Sequence, residues 1–453
     1  MNVLLWHGYL LSGSGSNVYS ANLARCWRAA GHDVLLLCQE RAAGGLPFVD
    51  AHGDFDELNR SFNLQPTGTE PVVGRCVVVR PNIGGLLPVY VYDDYESFTV
   101  KRFVDLSDAE LDAYVQANVE AMVSAIEQHQ PDAVITGHEV MGPYIARLAR
   151  ERTGADYVAK LHGSALEYAV KLQERYRRYA ELGLGAAKAV VGGSNYMIEA
   201  AAAVVPGWRQ RAVVVNPGCD VDLFAPAERD PGAPPVVGYV GKFIAQKGVH
   251  LLLAALGLTR APGLRAVIVG YGELGAELRA LQAALAAGDL ERARQLAGEV
   301  DGWGDLAGFL SSGANPASYA QRLAAVEVSF PGRLEHGPLA RLLPGFDVLC
   351  VPSVLPEAFG MVAAEAAACG VLPVVPRHSG IGEVGAAVEE AIGRPGLLTY
   401  DPADPVPGLA DAIERVLAIP PAERAELGAR AAAEARRRWA WARVADRLLE
   451  LAL

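Results

Sequence analysis

Residues 347–384 read DVLCVPSVLPEAFGMVAAEAAACGVLPVVPRHSGIGEV, and few folds accommodate that order. A short apolar run at 348–351 leads into a Pro/Ser loop, then an Ala-rich segment closed by Gly370, then a second apolar run at 371–375. The pattern predicts a strand, a loop, a helix of about ten residues with glycine at its C-cap, and a parallel strand. Such a unit sets the helix N-terminus at the carboxyl edge of an open α/β sheet, where ligands bind and free backbone N–H groups attract anions. Phe359, Gly360, Met361 and Val362 fall at that N-terminus. A phosphate is its natural guest.

Two glutamates flank the same turn, Glu357 before the helix and Glu365 inside it, with seven residues between them. A carboxylate repels a phosphate, so each glutamate is better matched to a hydroxyl-rich part of the same ligand, a ribose or a sugar. Taken alone, two such glutamates are an ordinary solvated pattern. Their context is more specific. The run EAFGMVAAE, the helix-closing ACG, the following strand and the HSGIGEV turn together resemble the nucleotide-sugar signature of retaining GT-B glycosyltransferases, in particular glycosyltransferase family 4.

The remaining chain carries further α/β units. A strand at 3–6 runs into the SGSGSN loop with Gly13 and Gly15, a helix at about 18–30 and a strand at 34–38. Glycines there allow close approach to a phosphate, and they serve equally as a plain tight turn. His138 and Glu139 follow a strand at 133–136, and His162 follows one at 158–161, so all three are expected at the carboxyl edge of a first sheet. The helix at about 167–183 carries Lys171, Arg175, Arg177 and Arg178 among three glutamates and reads as an exposed mixed-charge face. The Asp93–Asp94 pair and the Asp220-Val221-Asp222 triplet suggest metal ligation only superficially, because no further ligands accompany them. A second domain opens with a strand at 236–240, and its following loop bears Lys242 and Lys247. Two cations there suit a diphosphate, more so as a leaving group gains charge.

Composition narrows the class. With 453 residues, half of them apolar, the chain can build two to three domains. A net charge of −12 disfavours a general nucleic-acid binder or a strongly basic membrane surface. The six cysteines are scattered without a C-x-x-C pair, as expected of reduced thiols in a cytoplasmic protein with no zinc site. No uncharged apolar run of about eighteen residues occurs, so a membrane span is not expected, while peripheral contact and oligomerisation stay open. The N-terminus lacks a charged leader and reads as a first strand.

The resemblance extends over nearly the whole chain, most specifically the second half. It implies a GT-B fold: an α/β architecture of two Rossmann-like domains facing a cleft. The expected boundaries are an acceptor-side domain at 1–215, a linker at 216–235 and a donor domain at 236–435. The last helix, about 436–453 within a helical stretch from 421, would pack back on the first domain. Residues 282–326 are Ala-, Leu-, Arg- and Glu-rich, look helical, and exceed the family's usual connection, an insertion that could oligomerise or cover the cleft. By the resemblance, Lys242, Lys247 and the helix N-terminus at 359–362 hold the diphosphate of a nucleotide sugar. Glu365 binds ribose, Glu357 binds hydroxyls of the donor sugar, and Arg333 and Leu334 lie by the base. Gly13 and Gly15 contact donor or acceptor, His162 reaches the transferred sugar or the reaction centre, and His138 and Glu139 lie on the acceptor side. The family usually has Arg where this chain has Lys242, which offers a point charge without the bidentate fork. The implied activity is metal-independent transfer of a hexose to an acceptor hydroxyl with retention, with no cofactor beyond the donor. The acceptor stays open among sugars, polyols, lipid-linked and other small hydroxyl compounds. The alternatives are a sugar-nucleotide 2-epimerase of the same architecture and a non-catalytic sugar-nucleotide binder.

Overall fold

Apolar runs buried on both faces make parallel strands covered by helices, and this chain builds two such sheets. The computed structural model describes residues 1–453 apart from 70–72, 93, 94, 96, 231 and 314, so the Asp93–Asp94 pair lies outside the described residues. The chain divides into two compact units, Met1–Pro217 with Trp441–Leu453, and Gly218–Ala440.

The strands of the first unit are β1 (Asn2–Trp6), β2 (Asp33–Leu37), β3 (Ala51–Phe55), β4 (Phe62–Pro66), β5 (Arg75–Arg80), β6 (Leu86–Val89), β7 (Thr99–Arg102), β8 (Ala133–Gly137), β9 (Val158–Lys160), β10 (Ala189–Gly192) and β11 (Ala212–Val214). Nine of them form one sheet in the order β11-β10-β9-β8-β1-β2-β5-β3-β4, with β6 and β7 paired separately. Only the β3–β4 pairing within that sheet is antiparallel among the described residues. β1 lies between β2 and β8, so the strand order reverses beside it. A ligand crevice belongs there, outside the carboxyl ends of β1 and β8.

The second unit contributes β12 (Val236–Lys242), β13 (Arg265–Tyr271), β14 (Glu327–Gly332), β15 (Val348–Cys350), β16 (Leu372–Pro376) and β17 (Thr399–Tyr400). They form a parallel sheet in the order β14-β13-β12-β15-β16-β17, with β12 at its reversal point. The 347–384 stretch becomes β15, the helix Met361–Ala368 and β16. At the opposite, amino end of the sheet a cavity of about 730 Å³ is lined in part by Arg229, Asp347 and Arg424. Both arginines pair with the buried Asp347, which also accepts the Val236 N–H at 2.7 Å. That end is closed by ion pairs and is remote from the loops that follow the strands.

One expectation is corrected. The helical stretch from 421 to the end is two helices, Pro421–Trp439 and Trp441–Ala452, which belong to different units. No proline or glycine marks the break in the sequence. Ala440 is extended there because it forms a parallel bridge with Cys219, whose N–H donates to Trp439 O at 2.7 Å. The second helix packs on the helix Gly15–Ala29, with Trp27 Nε1 donating to Ala445 O and Trp441 edge-on to Tyr19. Within the 216–235 linker segment, Cys219, Val221 and Phe224 are buried in the core of the second unit. Asp222 pairs with Arg436.

The region 282–326 is helical and packs into the second unit. It forms the end of the helix Gly275–Ala286, then Leu290–Glu299, Gly304–Ser311 and Tyr319–Ala324. Ala293, Leu296, Trp303, Leu306, Leu310 and Tyr319 join the same core as β12, and Trp303 stacks on buried His250 at 5.0 Å. Its apolar face is therefore internal to the unit. Trp303→Ala is accordingly expected to destabilise the second unit by about 3–5 kcal/mol, the cost of a large core cavity, as read by denaturant unfolding. A detached hairpin would give a change near zero.

Candidate functional site

The reversal point of the second sheet gathers most of the charged candidates. β12 ends at Lys242, which is exposed and forms no ion pair among the described residues. Lys247 lies in the turn Ala245–Lys247 that follows. Gly248 comes next at φ +67°, where an added Cβ would stand 1.9 Å from Pro352 O. Only glycine permits that approach, and it presses the β12 loop against the β15 loop. The Val354 N–H donates to Gln246 O at 2.9 Å across the same contact.

The result is an ion pair between Lys247 Nζ and Glu357 Oε1 at 2.9 Å, with both side chains partly shielded from water. Ser353 Oγ donates to the same carboxylate oxygen. The Glu357 backbone is fixed as well. Its N–H donates to Ser379 Oγ at 3.0 Å, and its carbonyl accepts from Gly380 N at 2.9 Å. The side chain paired with Lys247 thus rises from a loop held at both ends.

The helix Met361–Ala368 starts beside this pair. Gly360 stands before it at φ +104°, where a Cβ would meet Ile381 at 2.9 Å. No side chain caps the helix, and its first turn carries no acid among the described residues. The positive end of the helix is left available for an anion. Met361 and Val362 are half-buried in that first turn, whereas the Phe359 side chain is buried against Trp439 at 5.8 Å. Phe359 is therefore a packing residue in its side chain.

Glu365 differs sharply from Glu357. Its side chain has no hydrogen bond or ion pair among the described residues, and burial pushes its carboxyl up to about 8. At neutral pH the group is mostly uncharged. That removes the expected repulsion of a neighbouring diphosphate and lets the carboxyl both donate to and accept from a hydroxyl.

Arg333 and Leu334 follow β14, at the sheet edge beyond β13. Arg333 pairs with Glu335 at 3.0 Å and lies over the Tyr271 ring at 5.2 Å, while Leu334 packs on the core. Tyr271 closes β13 and is 48% exposed, an aromatic surface at the carboxyl edge that the sequence reading passed over. The signal was present in the GYG that ends an apolar strand.

In the first unit, Gly13 is exposed in the loop after β1, and Gly15 begins the helix that Ser14 caps. Asn17 gives its Nδ2 to Ser12 O at 2.6 Å, so its Oδ1 is the acceptor facing His7 Nε2 at 2.8 Å. His7 and Asn17 were also missed. His162 is half-buried and touches both His138 and Tyr19, with ring centroids 4.8 and 5.2 Å away. Burial, reinforced by His138 and Lys160, holds its imidazole well below the usual histidine range. It is a neutral ring at physiological pH.

His138 and Glu139 do not present themselves as acceptor contacts. Both are 1% exposed. His138 sits at φ +71°, wedged among His7, Tyr9, Tyr90 and His162, and burial keeps it neutral. Glu139 Oε1 accepts the Gly163 N–H at 2.9 Å and so holds the loop that carries His162. Burial raises the Glu139 carboxyl, and burial lowers the Lys160 ammonium, whose Nζ donates to Val215 O. Position at a strand end was legible in the sequence; which ring faces outward was not.

Family models match over residues 14–218, a glycosyl transferase 4-like domain, and over residues 306–418, glycosyl transferases group 1. The chain belongs to the GT-B glycosyltransferases of the family 4 type. Among curated relatives, the D-inositol 3-phosphate glycosyltransferase of Mycobacterium tuberculosis strain H37Rv is 30% identical over 247 residues, which cover 53% of this chain and 43% of that protein. The match therefore spans less than half the length of those relatives. Sucrose-phosphate synthase from Thermosynechococcus elongatus has the same fold, with a TM-score of 0.61 at 19% identity over 99% of this chain and 98% of that one. Anabaena HepE in complex with UDP and glucose gives 0.60 at 17% identity, over 99% and 98%. For this GT-B chain, the expected family and fold class hold.

Glu365 gives a pH test with a definite sign. Its folded value of about 8 lies above the ordinary 4.5, so between those limits the folded state binds a proton that the unfolded state has released. Stability contributed at low pH is lost as pH rises through that window. Thermal unfolding from about pH 5 to pH 8 should show this decline in the wild type and a flatter profile in Glu365→Gln.

Proposed function

We propose that this protein is a retaining, metal-independent glycosyltransferase that moves a hexose from a nucleoside-diphosphate sugar to an acceptor hydroxyl. The observation that carries the reading is the arrangement at the reversal point of the second sheet. Lys247 and Glu357 are paired at 2.9 Å beside an uncapped helix N-terminus, with Lys242 exposed at the end of the neighbouring strand. Cations and helix dipole suit a diphosphate, and they gain most when the leaving group acquires charge.

On this reading an arriving diphosphate takes over Lys247, and Glu357 turns its freed carboxylate oxygen to hydroxyls of the donor sugar. Neutral Glu365 takes the ribose hydroxyls. Tyr271, with Arg333 over its ring, offers a surface for the base. In the first unit, His162 supplies a neutral imidazole toward the transferred sugar, Glu139 fixes its loop, and Gly13 and Gly15 leave the approach open. The acceptor oxygen bonds to the anomeric carbon on the face from which the diphosphate departs, and the departing phosphate oxygen takes the acceptor proton. That route needs no separate nucleophile and base pair.

UDP sugars are the first donors to test, since a structural neighbour is described in complex with UDP and glucose. The name of the M. tuberculosis relative makes a phosphorylated cyclic polyol the first acceptor class to try. UDP-, GDP- and ADP-sugars should be compared by thermal stabilisation, because a ligand that binds only the folded state raises its apparent stability. Glu357→Gln and Lys247→Ala should each lower kcat/KM by about 100-fold or more while the protein stays folded. NMR of the product should show the donor's anomeric configuration. A flat thermal response to every nucleotide sugar would sink the reading, and isomerised donor without acceptor would redirect it to epimerisation.

A further inference from the structure

Ser379 is one of few non-glycine residues with a left-handed backbone, at φ +52°. A side chain at such a position is strained, and strain of this kind persists where the surroundings hold it in place. Here the hydroxyl is what the surroundings use. Ser379 Oγ accepts the Glu357 N–H at 3.0 Å and lies 2.9 Å from His378 Nδ1. His378 Nε2 in turn lies 3.0 Å from Ser353 O.

The proton positions follow from chemistry. A carbonyl oxygen only accepts, so Nε2 of His378 carries the hydrogen and donates to Ser353 O. In the neutral ring Nδ1 is then the acceptor, and Ser379 Oγ–H donates to it. Ser379 Oγ keeps a lone pair for the Glu357 N–H. Ser353 closes the ring from its other side, because its own Oγ donates to Glu357 Oε1. The circuit runs from the Glu357 amide through Ser379, His378 and the Ser353 carbonyl to the Ser353 hydroxyl, and back to the Glu357 carboxylate. Hydrogen bonds in such a closed chain orient one another.

We propose that His378 and Ser379 are positioning residues whose hydrogen-bonded circuit sets the carboxylate of Glu357 for the sugar portion of the donor. The inference rests on the reading of Glu357 as the sugar-binding carboxylate. Neither residue touches the ligand in this scheme. Their work is to hold the loop from Ser353 to Glu357 against the start of the helix Ser379–Ile392.

Ser379→Gly separates positioning from folding. Glycine adopts φ +52° without strain, so the substitution removes the hydroxyl while leaving Tm unchanged or higher. Binding of UDP and of UDP-glucose is measured for wild type, Ser379→Gly and His378→Ala, with hydrogen exchange at the Glu357 amide. The expected result is UDP affinity within about twofold of wild type, UDP-glucose affinity and kcat/KM reduced by about tenfold, and faster exchange at Glu357. The double variant should lose no more than either single one, since each opens the same circuit. Unchanged UDP-glucose binding in a folded Ser379→Gly protein overturns the proposal, as does an equal loss for UDP and UDP-glucose. Failure of the wild type to bind any nucleotide or nucleotide sugar, with exchange at Glu357 still accelerated in Ser379→Gly, rejects the functional reading while keeping the circuit as a structural device.

Discussion

The site depends on one backbone arrangement, the placing of β12 between β13 and β15. At that reversal two loops leave adjacent strands on the same edge of the sheet, and each brings one member of the Lys247–Glu357 pair. Gly248 makes the meeting tight enough for an ion pair, because any Cβ there would collide with Pro352 O. The helix Met361–Ala368 follows directly from the second loop, so its positive end lies next to a cation and a carboxylate. Lys247 is balanced by Glu357, while the helix end has no acidic residue in its first turn among the described residues. A diphosphate would find charge already organised for it.

The two glutamates of the motif are chemically unlike. Glu357 is paired with Lys247 and bound by Ser353, whereas the Glu365 side chain lacks a hydrogen-bond or ion-pair partner among the described residues and burial holds its proton near neutral pH. Two charged carboxylates beside a diphosphate would oppose binding. One paired and one neutral carboxyl do not. The same economy of charge recurs in the first unit, where His7, His138 and His162 are kept neutral by burial and Glu139 is tied to a backbone N–H.

Much of this was legible in the chain. The order of apolar runs and loops in 347–384 predicts β15, the helix and β16, and the match of EAFGMVAAE to a nucleotide-sugar signature agrees with the family models. The histidines at strand ends were found because a strand's carboxyl end is visible as the close of an apolar run. Tyr271 and the roles of His378 and Ser379 within the HSGIGEV turn were missed, since those roles depend on partners distant in sequence or on a backbone angle. The break at Ala440 was invisible for a related reason: a helical pattern there is interrupted by pairing with Cys219, more than two hundred positions away.

By itself the sequence determined the α/β class, the strand-loop-helix order at the proposed donor site and the identity of its charged side chains, because periodicity and turn chemistry are local. Only the tertiary structure decided which of those side chains meet. It paired Lys247 with Glu357, withdrew His138 and Glu139 from the surface, drew the helices of 282–326 into the core and left Glu365 protonated. Each of these outcomes turns on burial and on contacts between segments far apart in the chain, quantities that no local pattern encodes.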